Sequence, residues 1–357
     1  MTSSVISDTS LRLAPRGTRR GKRRHSPGAP APSIRRLMIS CLISLAALAL
    51  VVAVSLGVGA TGIDPLGTLR TLVTGTPASA HNLVVDVRMP RVLLTVLIGA
   101  SLATAGLLAQ TLTRNPLASP QTFGVNAGAA AAIVTTIVLF PSLGGFSVVA
   151  AFAGAALVGV VMWALSAASS MSTVSLALAG MTLQILLSAL VQAVLIMNNA
   201  TQDLVFWLAG SVTGAQWSDV TLLLPFTLAG CTIALIGQRH FGLLALDTAT
   251  SKALGQNTNQ VAGLAALVVV ALAGASVAVA GPIGFIGLIV PHISTRIVGS
   301  SFTHRLMFGL VCGPLLFASA DVIAKLIAFP QETPAGIVTA LIGAPVFLLL
   351  ALRQRSR

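Results

Sequence analysis

A succession of about ten apolar runs, each near the length of one bilayer crossing, constrains this chain more than any motif in it. The runs lie at 37–60, 92–113, 123–141, 146–168, 174–197, 218–236, 259–280, 283–298, 307–328 and 335–352. A helix needs about 20 apolar residues to span the hydrocarbon core. Charged residues make up only 8% of the 357-residue chain, against roughly 25% in a soluble domain. So few charges cannot cover the surface of a soluble fold this size. The expected fold class is an all-α polytopic membrane protein.

The charges test that map. Lys and Arg total 21 and Asp and Glu total 8, a net charge of +13. Nine basic residues lie in 1–36, a Ser/Pro/Gly-rich segment that cannot bury a core and is expected to be disordered. With both termini cytoplasmic, 17 Lys/Arg fall inside and four outside: Arg70, Arg88, Arg91 and Lys325. That asymmetry is the one by which positive charge orients membrane proteins. The placement excludes a nucleic-acid-binding protein. The expected organisation is a basic cytoplasmic tail at 1–36, a ten-helix domain at 37–352 with a cytoplasmic loop at 238–258, and a short basic tail at 353–357. The run at 37–60 is too long for a signal-peptide core and reads as a retained span.

One internal repeat is visible. Gly99-Ala-Ser-Leu-Ala-Thr-Ala-Gly106 matches Gly274-Ala-Ser-Val-Ala-Val-Ala-Gly281 at six of eight positions. At the same offset Pro116 meets Pro291 and Gly124 meets Gly299. The copies fall in spans two and seven, which cross in opposite directions. That is the pattern of the inverted repeats from which many transporters are built. Gly124-x-x-x-Gly128 reads as a close-packing motif between helices.

Polar residues inside apolar runs point to function. Gln184, Ser188 and Gln192 recur every four residues, so they share one helix face. They either bond a neighbouring helix or line a wet pathway. Asp321 and Lys325 stand at i and i+4 with the acid first, the favourable order for a helical pair. The segments Arg114-Asn-Pro-Leu-Ala-Ser-Pro120 and Gly281-Pro-Ile-Gly-Phe-Ile-Gly-Leu-Ile-Val-Pro-His292 set Pro and Gly at membrane depth. Non-helical backbone there must be buried in protein or face a cavity. The loop 238–258 carries Leu243, Leu244, Leu246, Ala249, Ala253 and Leu254, an apolar face suited to docking.

Several chemistries are missing. Gly17-x-x-x-Gly21-Lys22-Arg23 is one residue short of a phosphate loop and lacks its Ser/Thr. Cys41, Cys231 and Cys312 and the five His show no metal-ligand spacing. No catalytic constellation stands out, so the chain is expected not to be an enzyme and to hold no cofactor. Its energy is expected to come from another polypeptide.

The motifs together resemble the permease subunits of ATP-driven importers for ferric siderophores, haem and vitamin B12 (the FecCD/BtuC type). The matching text is Arg88-Met-Pro-Arg91; Gly99 to Gly106; Gln110; Arg114-Asn-Pro-Leu-Ala118 with Pro120 and Gly124; Trp207-Leu-Ala-Gly-Ser211; Gly281 to His292; Ala320-Asp321; and Glu332-Thr-Pro334 running to Gly336, Thr339, Gly343, Ala344, Pro345 and Phe347. The resemblance covers about 40–352. It implies ten helices with the type II importer architecture and a dimer of permeases, identical or paralogous. It also implies two cytoplasmic ATPases holding ATP and Mg, and an extracytoplasmic substrate-binding protein.

Residue roles follow from the resemblance. Arg88, Arg91 and Lys325 are expected to face outward and dock acidic groups of the binding protein. Asn115 and Leu117, with Ser172 and Thr173, match the cytoplasmic gate. Gln184, Ser188 and Gln192 are the candidate pore lining. Leu243, Leu244, Leu246, Asp247, Ala253, Leu254 and Gly255 match the coupling helices that seat on the ATPase. Asp247 and Thr248 depart from the family there, where a Gly and an acid are usual. The expected function is import of an iron–siderophore complex across the bacterial cytoplasmic membrane by alternating access. Cobalamin and haem are the alternatives within the class. A self-powered secondary transporter is the alternative outside it, with Asp321 its only candidate proton carrier.

Overall fold

The structure is a computed structural model that describes residues 33–57, 81–142, 147–168, 173–198, 202–329 and 331–355. Among these the chain is helical throughout, with turns between. The long helices are α1 (Ile34–Gly57), α2 (Met89–Thr113), α3 (Val125–Leu139), α4 (Ser147–Ala168), α5 (Thr173–Met197), α7 (Trp217–Ile236), α10 (Thr258–Ala280), α11 (Ile286–Val298), α12 (Phe302–Ile327) and α13 (Ala335–Arg355). Three short ones are α6 (Gln202–Leu208), α8 (Gln238–Leu243) and α9 (Thr248–Ala253). Each predicted run corresponds to one long helix. Six are long and apolar enough to cross a membrane, counting the extension of α2 from Leu83; four apolar stretches in α3, α4, α11 and α13 are shorter.

The boundaries differ where local chemistry intervenes. Helix α1 begins at Ile34, so Arg35 and Arg36 join it rather than the tail. The second run starts earlier than residue 92, in a π-helical turn at Leu83–Arg88. Pro90 explains that turn: it has no N–H to donate back to Asp86, and the preceding turn widens. The eighth run was expected from 283, but α11 starts at Ile286. Gly281 (φ 70°) and Phe285 (φ 67°) are left-handed and stop any helix between them. This non-helical stretch is held by protein: Ser211 N–H donates to Ala280 O (2.9 Å) and Asn126 Nδ2 donates to Ile283 O (3.3 Å).

Helix α2 is the axis of the bundle. Its apolar window is 78% buried, and it packs against α7, α10, α11 and α12. Small residues permit this, because helix association in lipid rests on close packing rather than on hydrophobicity. Gly106 faces Gly287 on α11, and a Cβ there would sit 1.9 Å from the Gly287 carbonyl oxygen. Gly99 faces Gly313 on α12 with 2.6 Å to its backbone. Ser101 and Thr227 hydrogen-bond across α2 and α7 (2.8 Å). By contrast α1 is only 6% buried in its apolar window.

The Gly124–Gly128 pair splits into two roles. Gly128 packs on Gly154 of α4, as a close-packing motif should. Gly124 instead has φ 74° and starts α3. Its repeat mate Gly299 (φ 88°) likewise lies just before a long helix, α12. Between them the copies diverge: one has a loop with a 3-10 turn at Gln121–Phe123, the other has α11.

Candidate functional sites at the two ends of the bundle

At one end, the start of α2 meets the end of α12. Arg91 Nε donates to both oxygens of Asp321 (3.1 and 3.2 Å) and Nη2 donates to Asp321 Oδ1 (2.8 Å). Arg91 Nη1 donates to Glu332 Oε2 (2.7 Å), which also accepts from Thr213 Oγ1 (3.0 Å). Lys325 Nζ lies 3.1 Å from Asp321 Oδ2 and donates to Ser55 Oγ (2.8 Å). The Asp321–Lys325 pairing read from sequence is therefore present, inside a larger network.

All three cations expected to dock the binding protein lie at this end, and each is largely covered by the chain's own helices. Arg88, Arg91 and Lys325 are 6%, 8% and 6% exposed. Arg88 donates to the carbonyls of Leu56 and Gly57, and Lys325 donates to Ser55 Oγ, so both cations bond the last described turn of α1. Sequence reasoning did not assign Glu332 or Ser55 these parts. Glu332 stood in a quoted motif, but spacing cannot pair it with a residue 241 positions away.

At the opposite end, α2 stops at Arg114, which is left-handed (φ 51°). Asn115 Oδ1 accepts from Leu117 N–H (2.9 Å), closing a tight turn, and Leu117 is half-buried. Ser172 lies outside the described residues, and of Thr173 only its place at the start of α5 is described. Arg114 Nε donates to Leu244 O (3.0 Å), tying this turn to α8. Nearby, Gln110 donates to Leu288 O (3.3 Å) and accepts from Arg305 (3.0 Å), joining α2, α11 and α12. Neither tie was legible beforehand.

The segment 238–258, expected as a loop with an apolar face, holds two short helices, α8 and α9. Leu244 is buried, Leu243 is half-buried, and Leu246, Asp247, Ala253, Leu254 and Gly255 are exposed. Ser251 Oγ donates to Leu243 O (2.8 Å) and Gln256 Nε2 to His240 O (3.1 Å), clamping the two helices together. Leu246 is 40% and Leu254 61% exposed, leaving an apolar ridge. Asp247 caps α9: its carboxylate accepts from Thr250 N–H (3.3 Å). Hydrogen bonds from Thr250 hold that carboxyl below its ordinary pKa. A glycine could not supply this cap, which gives the Asp247 departure a local purpose.

On α5, Gln184 is half-buried while Ser188 and Gln192 are exposed. The three share a face as predicted, and Met181, Ile185 and Ile196 are exposed on the same helix. No group of three or more His, Cys, Asp or Glu among the described residues could hold a metal.

Comparison with known proteins follows the same lines. A model of the FecCD transport family matches residues 47–353. The Fe(3+)-citrate import system permease protein YfmD of Bacillus subtilis (strain 168) is 44% identical over 302 residues, 85% of this chain and 91% of that protein. The Fe(3+) dicitrate transport system permease protein FecC of Escherichia coli (strain K12) is 38% identical over 296 residues, covering 80% and 88%. A solved metal-chelate type ABC transporter in an inward-facing conformation is similar at TM-score 0.72 and 28% identity, over 88% of this chain and 99% of that one.

Proposed function

The chain belongs to the FecCD transport family, and we propose that it is the permease subunit of an ATP-driven importer carrying an iron–siderophore or iron–citrate complex across the cytoplasmic membrane. The observation that carries this reading is the apolar ridge of Leu246 and Leu254 on two clamped short helices at one end of a membrane bundle. A membrane protein has no reason to hold such a ridge out of the bundle unless a soluble partner covers it. The identity with Fe(3+)-citrate permeases supports the substrate class.

In this reading the α8–α9 end is cytoplasmic and receives ATPase subunits, which hold ATP and Mg; this chain contributes neither. Both termini are cytoplasmic. A push on the ridge passes through Leu244 and the Arg114 bond to the turn at Asn115–Leu117, and so to α2 at the bundle's centre. ATP-driven movement of that turn shifts the population between outward- and inward-open states. A second permease subunit faces α5, where Gln184, Ser188 and Gln192 give an uncharged lining. The α1/α2/α12 end is extracytoplasmic and meets the substrate-binding protein. A self-powered transporter fits less well, because Asp321 is engaged by two cations, Arg91 and Lys325.

The test is uptake of labelled iron by cells with and without the chain, supplied as ferric citrate and as a panel of siderophores, with cobalamin and haem alongside. Selective loss of an iron chelate is expected, together with co-purification of an ATPase. Loss of cobalamin or haem uptake alone would move the substrate. Proton-driven uptake by the purified chain alone would refute the class.

A further inference from the structure

We propose that Glu332 is an internal stand-in for an acidic docking partner: it holds the Arg91 donor that a carboxylate of the extracytoplasmic binding protein takes over, and its release frees the lead into α13. This rests on the docking reading of the α1/α2/α12 end given above.

Arg91 divides its donors between two unequal carboxylates. Nε and Nη2 serve Asp321, whose side chain is 1% exposed and which also pairs with Lys325. Nη1 serves Glu332, whose side chain is 33% exposed. The Asp321 edge is sealed inside the bundle, whereas the Glu332 edge meets a partly exposed carboxylate. A water-exposed ion pair is weakly held, whereas a buried one resists separation. Exchange at Arg91 therefore occurs at Nη1.

The chemistry of the incoming group follows. Arg91 is 8% exposed, and leaving its Nη1 edge without a counter-charge is costly. A neutral or basic side chain cannot displace Glu332 on those terms. A carboxylate can, because it replaces one anion with another. Arg88 and Lys325 are less available, since Arg88 donates to Gly57 O and Lys325 to Ser55 Oγ.

The consequence of exchange is also local. Glu332 Oε2 accepts from Thr213, so it joins the turn after α6 to the segment between α12 and α13. Thr333 N–H reaches Ala324 O (3.4 Å), and Gly336 N–H donates to Gly210 O (2.7 Å) at the first turn of α13. Once Glu332 leaves Arg91, the segment leading into α13 loses its side-chain ion pair and keeps its backbone bonds and the packing of Ala335 and Val338. Docking is thereby read by α13.

The experiment uses the full importer in lipid nanodiscs and the purified soluble binding protein of the same importer. Glu332→Gln keeps shape and removes charge, so it relieves competition for Arg91. Affinity for the binding protein is expected to rise roughly two- to five-fold, the range spanned by one exposed ion pair. A purely structural Glu332 would give lower affinity or none. Without the binding protein, a cysteine at Gln331 should react faster with a charged maleimide in the Glu332→Gln background. Unchanged or weaker affinity with wild-type binding intact would overturn the proposal, as would an unchanged labelling rate. Absence of binding by the wild-type importer would instead overturn the docking reading itself.

Discussion

Arg91 and Asp321, 230 residues apart in sequence, form a bidentate ion pair in which three hydrogen bonds of 2.8–3.2 Å join the start of α2 to the end of α12. The same Asp321 oxygens hold Lys325, and the same guanidinium holds Glu332. Three secondary-structure boundaries thus converge on one buried carboxylate.

Breaking this pair from one side strands a buried charge. Asp321→Asn is expected to lower stability by about 3–5 kcal/mol, because Arg91 and Lys325 lose their shared partner. Thermal unfolding of the detergent-solubilised protein checks it. Arg91→Met with Asp321→Leu should not recover the loss, since Lys325 and Glu332 are then both left without their ion-pair partners. A single variant as stable as wild type would show the pair to be dispensable.

Close helix approach makes a second prediction. Gly106→Leu places side-chain atoms where the Gly287 backbone already lies. Helices α2 and α11 must separate, and overpacking typically costs about 1–3 kcal/mol even where some relaxation is possible. Reduced expression and a lowered melting temperature are expected, while Gly263→Ala, with open space around it, should be silent.

The exposed ridge makes a third. Leu254→Asp sets a charge in the surface offered to the ATPase and should abolish iron uptake while the permease still assembles in the membrane. Uptake at the wild-type rate with normal assembly would exclude Leu254 from the contact.

Asp247 makes a fourth, through pH. Its carboxyl titrates below the ordinary range because the ionised form accepts from Thr250. The cap therefore helps α9 at neutral pH and is lost as pH falls through that depressed value. Amide exchange across 248–253 should accelerate on acidification, and Asp247→Ala should show the faster exchange already at neutral pH. Asp247→Asn, which keeps an oxygen for the cap, should remove most of the pH dependence.

Arg114 makes a fifth. Arg114→Ala removes the bond from the α2 turn to Leu244 O. ATP hydrolysis by the assembled importer should persist while iron uptake per ATP falls, measured in proteoliposomes. Equal coupling ratios would show that the signal travels elsewhere.

The number of long helices, their order and the exposed apolar residues of the 238–258 loop were determined by the sequence, because each is written in contiguous residues. Twenty apolar residues need a bilayer whatever surrounds them, and Leu246 and Leu254 stand out in a loop that also carries Asp247, Thr248, Thr250, Ser251 and Lys252. The Asp321–Lys325 pair was also legible, since four residues make one helical turn. The helix breaks near 281–285 were legible as a Gly/Pro cluster, though not the left-handed turn at Phe285. What only the tertiary structure decided is where the scarce charges go. Arg88 and Lys325 were legible as cations, but not that they reach the Gly57 carbonyl and Ser55 on α1. Arg91 finds Asp321 and Glu332 only because α2 and α12 cross at glycines, and Arg114 finds Leu244 only because α8 folds back under α2. Apolar patterning acts along the chain and survives in sequence. A buried ion's partner is fixed by packing between helices, which sequence distance does not encode.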